Sequence, residues 1–395
     1  MARNNAPASA PSPEQLAQAN FAARNLVLQA GVPRLQQIYS KGQNPANGNI
    51  VTINPNNVGL IRGFLVKVTG TMRNNDAAKI AARTPFGALN VLSNVQFTDM
   101  DNTIRINTSG YHLGMLNSAK QPLVLGGAYA TNVPIGFGNN WDVMTAAATI
   151  PAAGADVEVQ QYYYVPLAYT KLDLRGAMWA GIVNATSQLQ LTINANPVVD
   201  AGDLTGAVYS NAGGVDTGWK ADTNVTITVW QDYIDQVPMS QGNPILPMQD
   251  LGQIYDIKNT ALQGLVPNQD FGIPYANFRS FLSTLVVINN GVAPFLNVGE
   301  EINYWALRAA NASELFKYGP EEAAFLARSI FAADPPKGMY YFSHRDRPIT
   351  TQQFGNMELI VNPNANINQA ASALVGFESF AQLNQVTFAS SLPNS

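Results

Sequence analysis

The sequence predicts an all-β chain of two consecutive sandwich domains, and three observations predict it. Apolar residues alternate at period two in short segments: Val225, Ile227 and Val229 with Thr226 and Thr228, Leu189, Leu191 and Ile193 with Gln190, Thr192 and Asn194, and the triad Phe64, Val66 and Val68. Such alternation marks strands with one buried face. Turn residues separate the segments, with 31 Gly and 24 Pro in 395 residues, which favours a sandwich or barrel over α/β. The third observation is an internal repeat. I-R-G-F-L from Ile61 resembles F-R-S-F-L from Phe278, and Tyr162-Tyr163-Tyr164 resembles Met339-Tyr340-Tyr341. L-Q-L-T-I-N from Leu189 resembles M-E-L-I-V-N from Met357, and W-Q-D-Y from Trp230 resembles F-E-S-F from Phe377. Each pairing alone is within reach of chance, but their shared order implies two copies of one β topology.

In chain order, residues 1–44 read as an arm and helix, 45–240 as the first sandwich, 241–384 as the second and 385–395 as a tail, with Pro238 to Pro247 as the linker. Residues 1–11 are small and polar, so a disordered arm is expected. A helix follows, because Ser12 can cap it, Pro13 suits its first position, Gln15 completes a capping box and Gly31 stops it. Leu16, Ala19, Ala23, Leu26, Val27 and Ala30 give it a modest apolar stripe. Arg3, Arg24, Arg34 and Lys41 face only Glu14 in this region, so the end is locally basic. Two readings fit: a helix packed on a neighbouring domain, or contact with an anionic surface such as lipid headgroups. Strands are expected from about Ile50, with further helices only around Asp250 to Tyr255 and over Pro320 to Phe331. The first copy is longer, through Leu125 to Asn140 and Ala146 to Ala155, and should carry a large protruding insertion.

Composition narrows the function. Charged residues make up 12% of the chain, about half the ~25% usual for globular proteins. Asn, Gln, Ser and Thr supply polarity instead, which suits extensive subunit contacts depleted of charge. A net charge of −4 argues against nucleic acid as a main partner and against direct sequence-specific binding to it. With no cysteine there are no disulfides, Cys-ligated metals or thiol chemistry. No signal-peptide core and no spanning apolar run is present, so synthesis in the cytoplasm is expected, and the sequons at Asn107, Asn184, Asn224 and Asn311 should stay unmodified.

Motifs that could carry chemistry fail on context. His344-Arg345-Asp346 and Asp270-Phe271-Gly272 read as kinase triplets in reversed order, without a phosphate loop or its lysine, and are expected to be turns. His112, in the strand-like S-G-Y-H-L, is expected to be packed and hydrogen-bonded; Asp99-Met100-Asp101 lacks the rest of a calcium loop and reads as a solvated turn. Glu300-Glu301 and Glu321-Glu322 are adjacent pairs rather than opposed carboxylates, the latter in a helix first turn. Tyr162 and Tyr164 share one strand face and Tyr163 takes the other. The chain is therefore expected to be no enzyme, with no catalytic, cofactor or metal site. A carbohydrate- or receptor-binding β protein is the alternative, using aromatics such as Tyr129, Trp141 or Trp219.

Long collinear segments then carry a resemblance: N-V-G-L-I-R-G-F-L-V-K-V-T from Asn57, S-G-Y-H-L from Ser109, N-S-A-K-Q from Asn117, V-P-L-A-Y from Val165, I-L-P-M-Q-D-L from Ile245, G-L-V-P-N-Q-D-F from Gly264, Tyr275-Ala276-Asn277 and P-K-G-M-Y-Y from Pro336. The chain resembles the tectivirus major capsid protein family. The resemblance implies two upright eight-stranded jelly rolls with towers built from loop insertions. It implies homotrimers of pseudo-hexagonal outline that tile an icosahedral virion shell over an internal membrane enclosing the genome, with vertex and minor capsid proteins as further partners. It also places the N-terminal helix at the inner face, which makes Arg3, Arg24, Arg34 and Lys41 candidate lipid-proximal residues.

Overall fold

The computed structural model describes residues 12–45, 49–84, 87–120, 149–152, 154–181, 186–195, 197–199, 207–210, 217–221, 223–289, 301–310, 312–331, 338–368 and 371–382. The expected arm, the tail, Leu125 to Asn140 and, within Ala146 to Ala155, residues 146–148 and 153 lie outside the described residues.

Sixteen principal strands fall into two sets. The first comprises β1 (Val32–Gln43), β2 (Ile50–Ile53), β3 (Leu60–Asn74), β4 (Leu92–Thr98), β5 (Ile104–Thr108), β6 (Ala155–Pro166), β7 (Gln188–Ile193) and β8 (Val225–Asp235). The second comprises β9 (Gln253–Gln263), β10 (Phe271–Pro274), β11 (Arg279–Asn289), β12 (Ile302–Ala309), β13 (Ala312–Tyr318), β14 (Met339–Ser343), β15 (Met357–Pro363) and β16 (Ser372–Gln382). In the first set β1, β8, β3 and β6 lie side by side, opposed by the order β2, β7, β4, β5. The second set repeats both orders eight places on: β9, β16, β11, β14 and β10, β15, β12, β13. This is a jelly roll made twice. All the repeated sequence landmarks fall on equivalent strands, β3 with β11, β6 with β14, β7 with β15 and β8 with β16.

The rolls are fused through a sheet. Strand β5 pairs in parallel with β9, Ile106 with Ile257 and Asn107 with Lys258, so that one sheet of each roll joins a single nine-stranded layer. That joint changes the burial of what lies beside it. Strand β3 alternates along most of its length, Phe64, Val66, Val68 and Met72 inward, Leu65, Lys67, Thr69 and Thr71 outward. Strand β11 is buried without a break from Phe281 to Ile288, because Leu285 and Val287 pack towards the first roll while Val286 and Ile288 pack into their own core. Strands covered on both faces lose polar alternation, and F-L-S-T-L-V-V-I reads so. The second core is rich in aromatics: Trp305, fully buried, lies 4.9 Å from Tyr340 and 5.4 Å from Phe342. Such pairs add about 0.5–1.5 kcal/mol each beyond area burial.

Helix α1 (Pro13–Ala30) begins and ends as its sequence predicts, with the Ser12–Gln15 capping box formed and Gly31 at its C-cap. Three expectations need correction. The segment containing His112 is helical, not a strand: α2 (Gly110–Lys120) is buried almost all round, so it shows no polar face by which a helix could be recognised. The helix expected at Asp250 to Tyr255 is a single turn, Met248–Leu251, and Gln253 already belongs to β9. Residues 32–43, grouped by sequence with the arm, pair along β8 as an edge strand. Helix α3 (Pro320–Phe331) forms as expected, with Glu321 and Glu322 in its first turn. Helices α2 and α3 occupy equivalent places, each linking the fifth strand of its roll to the sixth.

Candidate assembly surfaces

Side chains from both rolls meet beside the joint. Glu378, on β16, is fully buried. It accepts from the Tyr255 hydroxyl at 2.5 Å and the Ser283 hydroxyl at 2.6 Å, while Arg345 donates at 2.9 Å. Lys120, the last residue of α2, brings its ammonium within 3.1 Å of the same carboxylate and also donates to Tyr255. Arg345 reaches back to the carbonyl of Ala119 at 2.7 Å, so the cluster ties the C-terminus of α2 to the second roll. Burial favours the neutral acid, but Lys120 and Arg345, with the Ser283 and Tyr255 hydrogen bonds, outweigh it and hold the Glu378 carboxyl well below the usual range. Burial likewise pulls Lys120 down to about 8, only partly offset by Glu378, with Arg345 acting in the same direction as burial. A buried ion group of this kind adds little net stability, yet losing one member is expensive.

His112 marks the other end of the contact. Thr108 donates its hydroxyl to Asn259 at 2.8 Å, so the 2.6 Å contact with His112 leaves Nδ1–H as the donor and Nε2 as the lone-pair nitrogen. Nε2 has no hydrogen-bond partner among the described residues, and burial lowers the imidazole to about 4. The ring lies directly over Gly376 of the second roll, where a Cβ would overlap it. Sequence reasoning missed Glu378, Arg345, Lys120 and Gly376; the available signals were a charge inside the strand-like F-E-S-F and a basic residue ending a segment capped by Ser109.

The residues singled out from sequence are scattered. Arg3 lies outside the described residues. Arg24 pairs with buried Asp250 at 3.3 Å, and Arg34 with Asp235 at 2.7 Å, so neither charge is unopposed. Lys41 is exposed on β1, 5.8 Å from the Tyr39 ring. Asp99 is not solvated as expected: it is buried, accepts from the backbone of Asp101 and Thr103, and pairs with Arg105 at 2.7 Å. Of the kinase-like triplets, His344 to Asp346 leads into a bend, whereas Phe271 and Gly272 lie in β10 rather than a turn. Glu301 is buried with Tyr340 near it at 3.4 Å; Glu300 is not described. Of the candidate sugar platforms only Trp219 is described, and it is engaged, donating to the Asn194 carbonyl at 2.7 Å. Among the described residues no cluster of metal-ligating side chains occurs and no helix is long and apolar enough to cross a membrane.

Two jelly rolls of one order, fused through a shared sheet and locked by a helix, define the class of double jelly-roll capsid proteins. Residues 3–237 match the family of the P3 major capsid protein N-terminal region, and residues 252–393 that of its C-terminal region. The chain belongs to this tectivirus capsid family, which is structural and not enzymatic. It is 40% identical to major capsid protein P3 of Enterobacteria phage PRD1 over 383 residues, 96% of this chain and 95% of the relative. The fold extends further. The STIV MCP superposes with a TM-score of 0.62 at 12% identity, covering 91% of this chain and 99% of that one. The Faustovirus major capsid protein gives 0.55 at 9% identity, covering 90% and 91%. The protein is a shell-forming component of a bacteriophage virion.

Proposed function

We propose that this capsid protein forms homotrimers of six-lobed outline that tile over an internal lipid membrane, with α1 at the inner face and with vertex and minor capsid proteins as further partners. Two rolls per chain give six lobes in three chains. The observation that carries the membrane reading is the seating of α1. Asn20 donates to Asp250 at 2.9 Å and Val27 is buried, while Leu16, Phe21 and Leu26 on the rest of the helix are 44%, 58% and 39% exposed. An anchored helix with outward apolar residues, in the segment of the sequence that is locally basic through Arg3, Arg24, Arg34 and Lys41, suits the boundary between headgroups and acyl chains. Because Arg24 and Arg34 already hold carboxylates, the apolar side chains carry most of the contact and the cations add at most ~1 kcal/mol each at low salt.

Flotation of purified trimers with vesicles containing anionic lipid tests this. Replacing Leu16, Phe21 and Leu26 by Ser should abolish most co-flotation. Neutralising Arg3, Arg24, Arg34 and Lys41 should weaken it modestly and flatten its salt dependence. Unchanged flotation in both sets would overturn the membrane reading and leave the shell role standing.

A further inference from the structure

The internal duplication supplies a template for contact between copies. A bulge aligns the rolls residue by residue: Asp232 opposes Gly63 just before a register shift, and Glu378 opposes Ser283 just before the equivalent shift. Two residues before each carboxylate, a row crosses three strands. On the second roll it reads Gly376, Leu285, Tyr341; on the first it reads Trp230, Leu65, Tyr164. The second-roll row is covered in the fold: His112 of α2 lies over Gly376, and Leu285 and Tyr341 share one cluster with Leu113, Met115 and Leu116 of α2 and with Ala327 and Phe331 of α3, the Phe331 ring lying 5.1 Å from that of Tyr341. The first-roll row remains part-exposed on the outer face of its sheet.

Helix α3, the counterpart of α2, is covered on one side only. It buries Ala323, Ala327 and Phe331, while Phe325 is 67% exposed and Leu326 36% exposed. Among the described residues the fold thus holds one docked pair and one unmated pair of equivalent surfaces. We infer that α3 of one copy docks on the outer face of the first roll of a second copy, setting Phe325 and Leu326 against the row Trp230, Leu65, Tyr164.

Trp230 stands where Gly376 stands on the other roll, so the contact between copies cannot seat a ring against bare backbone as His112 does. It is a face-to-face apolar contact instead, centred on the aromatic residue types that dominate interface energetics. The contact is head-to-tail, and such contacts make rings when the rotation closes. This inference rests on the trimer reading above, because closure after three copies is what brings the last α3 to the first roll.

The absence of cysteine permits a direct test. Phe325→Cys combined with Leu65→Cys, treated with a short bis-maleimide, should give covalent species up to three chains on a denaturing gel, whereas each single variant should stay at one chain. Phe325→Ser with Leu326→Ser should raise the concentration at which trimers dissociate at least tenfold in sedimentation, with the wild-type circular dichroism spectrum retained. Trimers that persist in the serine variant, with no cross-link in the cysteine pair, would overturn this contact and spare the trimer. A wild-type protein that sediments as a monomer would overturn the trimer reading and this contact with it.

Discussion

The two rolls bury a carboxylate at the same place and surround it differently. In the first, Asp232 accepts from Arg62 at 2.5 Å and from the Tyr164 hydroxyl at 2.8 Å, all partners belonging to the same roll. In the second, Glu378 gathers two cations, and Lys120 arrives from the other roll. One residue longer by a methylene, and one docked helix, turn a local brace into a joint between domains. Duplication supplied the position; burial of the second roll on both sheet faces raised what depends on it.

Breaking that contrast should give the largest effect. Glu378→Gln leaves Lys120 and Arg345 buried without a counter-charge and should destabilise by about 3–5 kcal/mol. Asp232→Asn leaves one cation, whose side chain is 11% exposed, and should lose about 1–3 kcal/mol. Thermal unfolding at matched protein concentration measures both, and equal losses would erase the distinction drawn between the rolls.

Acid should find the same joint. His112 titrates at about 4 in the fold against 6.5 when free, so the unfolded chain takes up the proton first as pH falls. Stability is therefore complete above about 6.5 and is lost through the window down to 4, on the order of 3 kcal/mol from this group. His344, also lowered to about 4 by burial, adds a parallel loss. Unfolding followed across that window should show a shallower decline in His112→Gln; a profile parallel to wild type would remove His112 from the account. Below the ordinary carboxylate range Glu378 contributes its own loss, because its depressed pKa means that stability present above about 4.5 disappears as protons bind the unfolded acid first.

The smallest change sharpens the comparison by sterics alone. Gly376→Ala pushes a methyl into the His112 ring and should cost about 1–3 kcal/mol, as overpacking does. Pairing it with His112→Ala should recover part of that loss in a double-mutant cycle. Additive losses would mean that the two residues do not meet.

The sequence reading was strongest where strands have one wet face. Phe64, Val66 and Val68 announce β3, and the repeated landmarks announce the duplication, because alternation survives wherever water touches one side. It failed at the joint for the converse reason. Helix α2 carries Gly110 and Gly114, poor helix formers, whose missing side chains admit Leu89 and the carbonyls of Leu89 and Leu92, and burial all round removes its periodicity. Strand β1 escaped because it is an edge, mostly exposed along its length. Glu378 was illegible because Lys120 and Arg345 become its neighbours only after both rolls fold. Arg24 and Arg34 looked free for the same reason, their acids Asp250 and Asp235 lying far along the chain.

The parallel seam between β5 and β9 has a mechanical consequence. Backbone hydrogen bonds there lie within the plane of the nine-stranded layer, so a load applied along that layer passes from roll to roll through Ile106, Asn107, Ile257 and Lys258. So short a seam carries little load unaided. The α2 anchor at Glu378 runs beside it as a second tether, and stretching the chain sideways must break a zipper and a buried ionic lock together.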